Sequence, residues 1–199
     1  MSDDVHTEAH GEIAEPQERL DPEARARREA ALKHVRKYGD PVLRSRALEI
    51  ERFDGSLVDE VRRMGELMHD AYGIGLAATQ VGVMHRLLVY RTELEGAVAA
   101  LANPVLEWSS KDTESAEEGC LSLPGVAVEV DRPIHVRVRA QDERGQPITV
   151  EASGLEARVI QHEMDHLDGV LILDKTSRDQ RKQAMRTLRE ALDPRPAAA

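Results

Sequence analysis

One short run constrains this chain more than any other segment: QHEMDH, at positions 161–166. On an α-helix, positions four apart lie on one face, so His162 and His166 can offer two imidazoles to a single cation. Glu163 would lie beside that cation, where its carboxylate can accept a proton from an activated water molecule and return it to a leaving group. The run therefore predicts metal-dependent hydrolysis, and a helix that carries two histidines by coincidence is the alternative.

The residues around this run predict a helix. Ser153 and Glu156 have the spacing of a capping box, in which Ser153 is the N-cap and the Glu156 carboxylate reaches back to it. Apolar residues fall on the same stripe as the two histidines, so we expect both imidazoles to be half buried. Gly169 is a typical residue just after a helix end. The helix should therefore run from about Gly154 to Leu167.

A catalytic metal site usually has three protein ligands and one open position, so two histidines leave it incomplete. Cys120 is the candidate for the third ligand, because Gly119 before it frees the backbone and Pro124 after it stiffens the loop. As the sole cysteine of the chain, Cys120 excludes an intramolecular disulfide and favours a reducing compartment. A buried and unreactive thiol is the alternative interpretation.

Charge and composition argue against several classes of partner. The chain has 199 residues, a formal net charge of -10 and only 3% aromatic residues, which disfavours DNA binding, general nucleic-acid binding and binding to acidic membranes. No apolar run approaches the roughly 18 residues of a membrane span, and the first residues lack the basic and apolar regions of a signal peptide. We therefore predict a cytoplasmic protein without membrane contact.

By composition the chain divides into four segments. Residues 1–32 form a polar leader that we predict to be disordered at first and helical from Asp21-Pro22 onward. Because the helical part is charged nearly all round, we expect it to be loosely attached. Residues 33–176 form the predicted catalytic domain, residues 177–192 a C-terminal helix, and residues 193–199 a tail.

The C-terminal helix is locally basic in an acidic chain. Its apolar stripe comprises Ala184, Met185, Leu188, Ala191 and Leu192. The basic residues around that stripe are Arg178, Arg181, Lys182, Arg186 and Arg189. This charge is the one hint of a partner surface in the sequence, and a solvated helix face is the alternative.

In the central segment, Ser56 and Asp59 predict the start of a long amphipathic helix by the capping-box pattern. Its buried stripe comprises Leu57, Val61, Met64, Met68 and Ala71. Strands are predicted at 87–90, 98–106, 126–130, 134–138 and 148–150, with a hairpin turn at 143–145. Helix, antiparallel strands and helix, without a repeated βαβ unit, indicate an α+β fold.

Residues 73–80, with the sequence GIGLAATQ, are rich in glycine and alanine. Small side chains let another molecule approach the backbone closely. The spacing matches neither the Walker nor the dinucleotide-binding pattern, so a nucleotide site is not expected. Gln80 ends the run with a neutral amide that can donate a hydrogen bond to a developing oxyanion.

Residues 73–80, 118–122 and 161–166 resemble the three signatures of the peptide deformylases, in the same order and with similar spacing. The resemblance covers about residues 33–190. Members of this family remove the formyl group from the N-terminal formyl-methionine of newly synthesised polypeptides. The resemblance implies antiparallel sheets packed around a central helix that carries the histidines, with an amphipathic helix before it and a C-terminal helix after it.

The resemblance also implies a metal site. Cys120, His162 and His166 would hold one divalent ion, typically Fe2+, which Zn2+, Ni2+ or Co2+ can replace. Glu163 would be the general acid and base of the reaction.

Contacts with the substrate follow from the same resemblance. Gln80 and the backbone N–H of Leu121 would stabilise the formyl oxygen, and the backbone around Ile74 and Gly75 would bind the substrate strand. Formyl-methionine nascent peptides are then the expected partners, and the basic C-terminal helix would contact the ribosome.

Two weaker expectations concern the surroundings of this site. Asp165 is turned about 100 degrees from its neighbours on the helix and can pair with Arg132, either to support the metal ligands or as a plain surface salt bridge. Many relatives carry polar or basic residues after the second signature, whereas residues 125–128 here are small and apolar. That departure concerns how substrate residues beyond the methionine are held.

Two other functions share part of this pattern. An endopeptidase of the zincin type has the histidine pair and the glutamate, but it normally takes a third His or Glu downstream, and none lies at the metzincin spacing. A structural metal site would need four closed protein ligands, and the chain has no second cysteine to help supply them.

Overall fold

A computed structural model describes residues 20–93 and 96–192 of the chain. The disorder predicted for the start of the leader and the tail predicted at 193–199 therefore lie outside the described residues. The α-helices are α1 (Pro22–Leu32), α2 (Gly55–Asp70), α3 (Gly154–Leu167) and α4 (Arg178–Leu192). The strands are β1 (Gly75–Ala77), β2 (Leu87–Tyr90), β3 (Ala99–Ser109), β4 (Thr113–Gly119), β5 (Ala127–Pro133), β6 (His135–Gln141) and β7 (Pro147–Ser153).

The strands form two antiparallel sheets. Five of them form one sheet in the order β1-β2-β3-β6-β7, and β4 and β5 form a separate hairpin. Helix α3 packs against β1, β2, β6 and β7 of the larger sheet and against β5 of the hairpin. This arrangement confirms the predicted α+β fold with antiparallel sheets around the helix that carries the histidines.

Helix α3 runs from Gly154 to Leu167, as predicted. The predicted capping box is wrong, however, because the Ser153 side chain makes no capping hydrogen bond and the Glu156 carboxylate accepts a hydrogen bond from the Tyr90 hydroxyl at 3.0 Å. The chain then turns at Gly169, where φ is +73° and a Cβ would lie 2.8 Å from the backbone carbonyl of Arg44. Only glycine fits both the conformation and the space.

Helix α2 is the predicted amphipathic helix, but its N-cap differs from the predicted one. The Asp54 carboxylate accepts a hydrogen bond from the N–H of Ser56 at 2.9 Å, so Asp54 rather than Ser56 caps the helix. Asp59 instead pairs with Arg62 at 2.9 Å on the exposed face. The stripe faces the sheet through its buried members Leu57, Met64 and Met68.

Helix α1 is capped by Asp21, whose carboxylate accepts the N–H of Ala24 at 2.8 Å, as predicted. Its expected loose attachment is not what the structure shows. Ala24 and Ala31 are 3% and 5% exposed, and Ala31 belongs to the same apolar cluster as Met64 of α2. The two alanines lie on the buried side of α1, while most of its charged residues are exposed.

Helix α4 covers the hairpin. Ala184 and Leu188 are buried against Val128 of β5 and Leu173, but Leu192 is 43% exposed, so the predicted stripe ends before the last turn. Two of the small apolar residues at 125–128 therefore have a packing role, because Val126 and Val128 both lie in this cluster, whereas Gly125 and Ala127 are exposed. None of the helices in the described residues is both long and apolar enough to span a membrane.

Leu167 packs the end of α3 into the core, so its truncation should reduce the stability of the protein. Leu167 is fully buried, so Leu167→Ala should lower the free energy of unfolding by about 2–5 kcal/mol. The same change at the half-exposed Leu192 should cost no more than about 0.5 kcal/mol. Urea unfolding of the two variants measures both values. Equal losses of unfolding free energy in the two variants would contradict the exposed position of Leu192 at the end of α4.

Candidate metal centre

The structure brings together the three residues that the sequence singled out as metal ligands. Cys120 follows the last residue of β4, whereas His162 and His166 lie one turn apart on α3. One donor atom from each residue lies within 4.8 Å of the other two, and Cys120 Sγ is 3.3 Å from His166 Nε2. All three residues are buried, so the expectation that the histidines are half buried is wrong: they are 5% and 2% exposed.

Glu118 orients the first histidine. The Nδ1 atom of His162 is 2.9 Å from Glu118 Oε2. Since an ionised carboxylate only accepts hydrogen bonds, Nδ1 carries the proton and Nε2 is left to face the cluster. The sequence contained Glu118 in a signature but gave no sign of this role, because the contact joins residues 44 positions apart.

Two arginines neutralise Glu118. Arg132 donates to both oxygens of the carboxylate, at 2.5 and 2.8 Å, and Arg158 donates to Oε1 at 2.8 Å. Arg132 also donates to Asp165 at 2.8 Å, which confirms the predicted pair. Because Arg132 is only 2% exposed, this pair is not a plain surface salt bridge. The four side chains tie β4 and β5 to α3.

This network sets the protonation of the carboxylate. Burial by itself would raise the pKa of Glu118, but the hydrogen bonds from Arg132 and His162 outweigh it and hold that pKa well below its usual range. Glu118 therefore stays ionised and keeps accepting the Nδ1–H of His162.

Glu163 has a different environment. It is fully buried, and neither carboxylate oxygen has a hydrogen-bond partner among the described residues. Burial raises the pKa of Glu163 to about 7, and the attraction of His162 and Arg132 offsets it only in part. A carboxyl group with such a pKa can both accept and release a proton near neutral pH.

Gly75 of β1 lies directly against this carboxyl group. A Cβ at position 75 would lie 2.9 Å from Cδ of Glu163 and closer still to Oε1. Any side chain there would therefore have to displace Glu163. The sequence predicted that another molecule would approach the backbone at this glycine-rich run. At Gly75 the group that approaches closely is the side chain of Glu163.

Gln80 lies beside Cys120 and is fully buried. Its Oε1 accepts the N–H of Ala77 at 2.8 Å, so the amide nitrogen must point the other way. That nitrogen lies 3.7 Å from Cys120 Sγ and 3.4 Å from Ser122 Oγ. The contact with the hydroxyl is long for a hydrogen bond and sulfur is a weak acceptor, so a better acceptor can compete for the N–H groups.

The backbone positions expected to meet a substrate lie at the edge of the larger sheet. Strand β1 is the edge strand, and the carbonyl of Ile74 accepts the N–H of Arg91 at 2.9 Å. Arg91 also donates its Nε–H to the carbonyl of Gly73 at 3.0 Å, although it is only 3% exposed. Arg91 thus fixes the start of β1, a role that no sequence pattern indicated.

The donor set fits a divalent transition metal. Two imidazoles and one thiolate suit zinc and the first-row metals of similar softness, and three protein ligands are the number that a catalytic site of this kind uses. The contact with Glu118 leaves Nε2 of His162 as the nitrogen that would hold a cation, and the Glu163 oxygens have no hydrogen-bond partner among the described residues; both features fit a metal site. A structural site would need a fourth protein ligand, and this cluster of the described residues has three.

Comparisons with known proteins match most of the chain. A family model described as polypeptide deformylase matches residues 32–182. Peptide deformylase 1 of Corynebacterium glutamicum is 47% identical over 161 residues, which are 80% of this chain and 95% of that protein. The crystal structure of a peptide deformylase from Synechococcus elongatus in complex with actinonin has a TM-score of 0.74 and 43% identity, covering 77% of this chain and 85% of that one. A peptide deformylase from Legionella pneumophila has a TM-score of 0.76 and 37% identity over 81% of this chain and 97% of that one.

We expect Glu118→Gln to weaken metal binding about 10- to 100-fold, because the amide no longer fixes the ring of His162. It should also lower the free energy of unfolding by about 3–5 kcal/mol, since two buried arginines lose their carboxylate. Competition with a chromogenic chelator measures the first effect, and denaturant unfolding measures the second.

Glu117→Gln is the matched control, because Glu117 is the preceding residue of the same strand and is exposed. It should change neither quantity noticeably. If the two variants held the metal equally well, Glu118 would not orient the ligand.

Proposed function

The chain belongs to the polypeptide deformylase family, and from that membership we propose how its own residues carry out the reaction. It is a metal-dependent hydrolase that removes the N-formyl group from the N-terminal formyl-methionine of newly synthesised polypeptides and releases formate. The observation that supports the residue roles below is the convergence of Cys120, His162 and His166 beside the buried Glu163.

We propose that Cys120, His162 and His166 hold the metal and that the ion is Fe2+, with Zn2+, Ni2+ or Co2+ able to replace it. A thiolate with two imidazoles suits all of these ions, and it would make an iron centre sensitive to air. When bound there, the cation supplies Lewis-acid activation of water and of the formyl carbonyl. Element analysis of protein purified without oxygen tests the identity of the ion.

Glu163 is the proton carrier. Its buried carboxyl group, with a pKa of about 7, takes a proton from the attacking water and gives it to the nitrogen that leaves as the new N-terminal amine. Its freedom from competing hydrogen bonds supports this role, because a carboxylate held by other donors would be a weaker base.

Gln80 and Leu121 stabilise the oxygen of the formyl group. The Gln80 amide is held by its own carbonyl oxygen, so the N–H groups face the cluster before substrate arrives. The N–H of Leu121 makes no hydrogen bond with another described residue and is the second donor. In a water-excluded site each preorganised donor contributes about 3 kcal/mol to transition-state stabilisation.

The substrate peptide pairs with β1. Because Ile74 directs its carbonyl towards β2, the alternation of a strand turns the N–H and C=O of Gly75 to the outer edge of the sheet. An extended peptide can add to that edge by backbone hydrogen bonds. This pairing would bring the formyl end of the chain to Glu163, which touches Gly75.

Formate release from a formyl-methionyl peptide by anaerobically purified protein tests this mechanism. Glu163→Gln should lower kcat by at least about 100-fold while the protein still binds one metal ion, since the variant loses the proton carrier but no ligand. Glu156→Gln, on the same helix, is the matched control and should retain activity within a few-fold. Full activity of Glu163→Gln would exclude the role of Glu163. Cleavage of internal peptide bonds in place of formate release would identify a zincin-type peptidase.

We also propose that α4 docks on the ribosome and that the protein is cytoplasmic, where nascent chains emerge. The basic side chains of α4 are exposed, while its buried face is occupied by the hairpin. A cationic face in a chain of net charge -10 suits the phosphate backbone of RNA.

Charge reversal on α4 tests ribosome docking. Replacing Lys182, Arg186 and Arg189 by Glu should weaken cosedimentation with ribosomes about tenfold or more at low salt, yet leave formate release from a free peptide unchanged. A control with the same change of charge reverses three exposed residues elsewhere: Arg52, Lys111 and Arg144. Equal sedimentation of both variants and the parent protein would mean that the face of α4 is merely solvated.

A further inference from the structure

The segment before the first turn of the domain contacts the backbone of both proposed oxygen-stabilising residues. Three consecutive residues each donate a hydrogen bond to a backbone carbonyl of Gln80 or of the two residues that follow Cys120. These bonds are Arg36 N–H to Gln80 O at 2.7 Å, Lys37 Nζ to Leu121 O at 2.8 Å, and Tyr38 N–H to Ser122 O at 2.9 Å. Only the middle bond comes from a side chain, so only that bond depends on which amino acid is present.

The bond from Lys37 fixes the middle of a tight turn. Cys120 accepts the N–H of Leu123 at 2.9 Å, which makes Leu121 and Ser122 the two central residues of a four-residue turn. The two commonest turn types differ by a flip of the peptide between the central residues. The oxygen held by Lys37 belongs to that peptide, so the ammonium group selects one of the two orientations.

We propose that Lys37 is a positioning residue for deformylation, which restrains the turn so that the N–H of Leu121 stays aimed at the formyl oxygen. The N–H of Leu121 shares a peptide plane with the carbonyl of Cys120, which accepts the N–H of Leu123. If the middle peptide is not fixed, that hydrogen bond loosens and the N–H of Leu121 moves with its peptide plane. An oxyanion donor loses most of its effect when it is misaligned, because its value comes from being in place before the reaction. The proposal rests on the function given above for Leu121.

A general loss of stability is not expected when Lys37 is changed. The backbone bonds from Arg36 and Tyr38 hold the segment whatever the side chain at position 37. Lys37 is half buried, so an unbranched apolar residue of similar length can take its place. The ammonium group nevertheless forms a charge-assisted bond, which holds a carbonyl more strongly than a neutral donor does.

Lys37→Met removes the ammonium group and keeps the shape of the side chain. With a formyl-methionyl peptide, kcat should fall about tenfold and KM should stay the same, because the lost interaction acts on the transition state. Lys37→Arg should recover most of the rate, since it restores a cationic donor. Lys33 and Lys37 line one surface pocket, and Lys33 is exposed. Lys33→Met is therefore the matched control and should leave kcat unchanged.

A thioformyl peptide separates positioning from a purely structural effect. Sulfur is a weak hydrogen-bond acceptor, so the donors contribute little with this substrate and the rate ratio between the parent protein and Lys37→Met should fall towards one. A ratio that is equal for the formyl and thioformyl peptides would overturn the proposal. A change in KM with an unchanged kcat would do the same.

Hydrogen exchange of the backbone amides provides a measurement that needs no turnover. The amide of Leu123, which donates the hydrogen bond of the turn to Cys120, should exchange faster in Lys37→Met than in the parent protein, while those of α3 should not change. Unchanged exchange in the turn would overturn the proposal even if the protein released no formate. Faster exchange without any formate release by the parent protein would instead count against the proposed function.

Discussion

The structure depends on one buried carboxylate. Glu118 is fully buried, and it accepts hydrogen bonds from Arg132 of β5 and from Arg158 and His162 of α3. A buried ion cluster is costly to desolvate and is stable only when each charge is matched. The same contacts that dock the β4–β5 hairpin on α3 therefore also orient the imidazole of His162, a proposed metal ligand. The hairpin cannot shift against the helix without disturbing that ring. The contacts that hold the fold together are therefore also those that orient the ring.

Much of the fold could be predicted because its signals are local. Helix α3 has the predicted limits, since a glycine follows its end and its apolar residues repeat at helical spacing. Strand β2 was predicted to the residue. Strands β1 and β4 were missed for physical reasons: β1 has three residues, and β4 is mostly charged and owes its extended form to pairing with β5. Asp54 rather than Ser56 caps α2 because Asp54 is the residue with extended backbone angles just before the helix. The spacing of residue types alone does not determine where those angles change.

The candidate site divides in the same way. The convergence of Cys120, His162 and His166 could be predicted, because the histidines have a fixed local spacing and a three-ligand site needed one more donor. The contacts of Glu118, Arg91 and Lys37 could not, since each joins distant segments of the chain. The burial of the histidines was underestimated because the amphipathic pattern describes a helix with one free face. Helix α3 is instead enclosed by the sheet on one side and the hairpin on the other.

The contact between Gly75 and Glu163 has a consequence for which amides can react. The proposed proton carrier is already buried, and it lies against the same short strand on which an incoming peptide would pair. An amide would therefore reach that carboxyl group only by aligning along the strand. The edge of the sheet would act as a filter for extended chain ends, and stray amides that cannot pair with it would be spared.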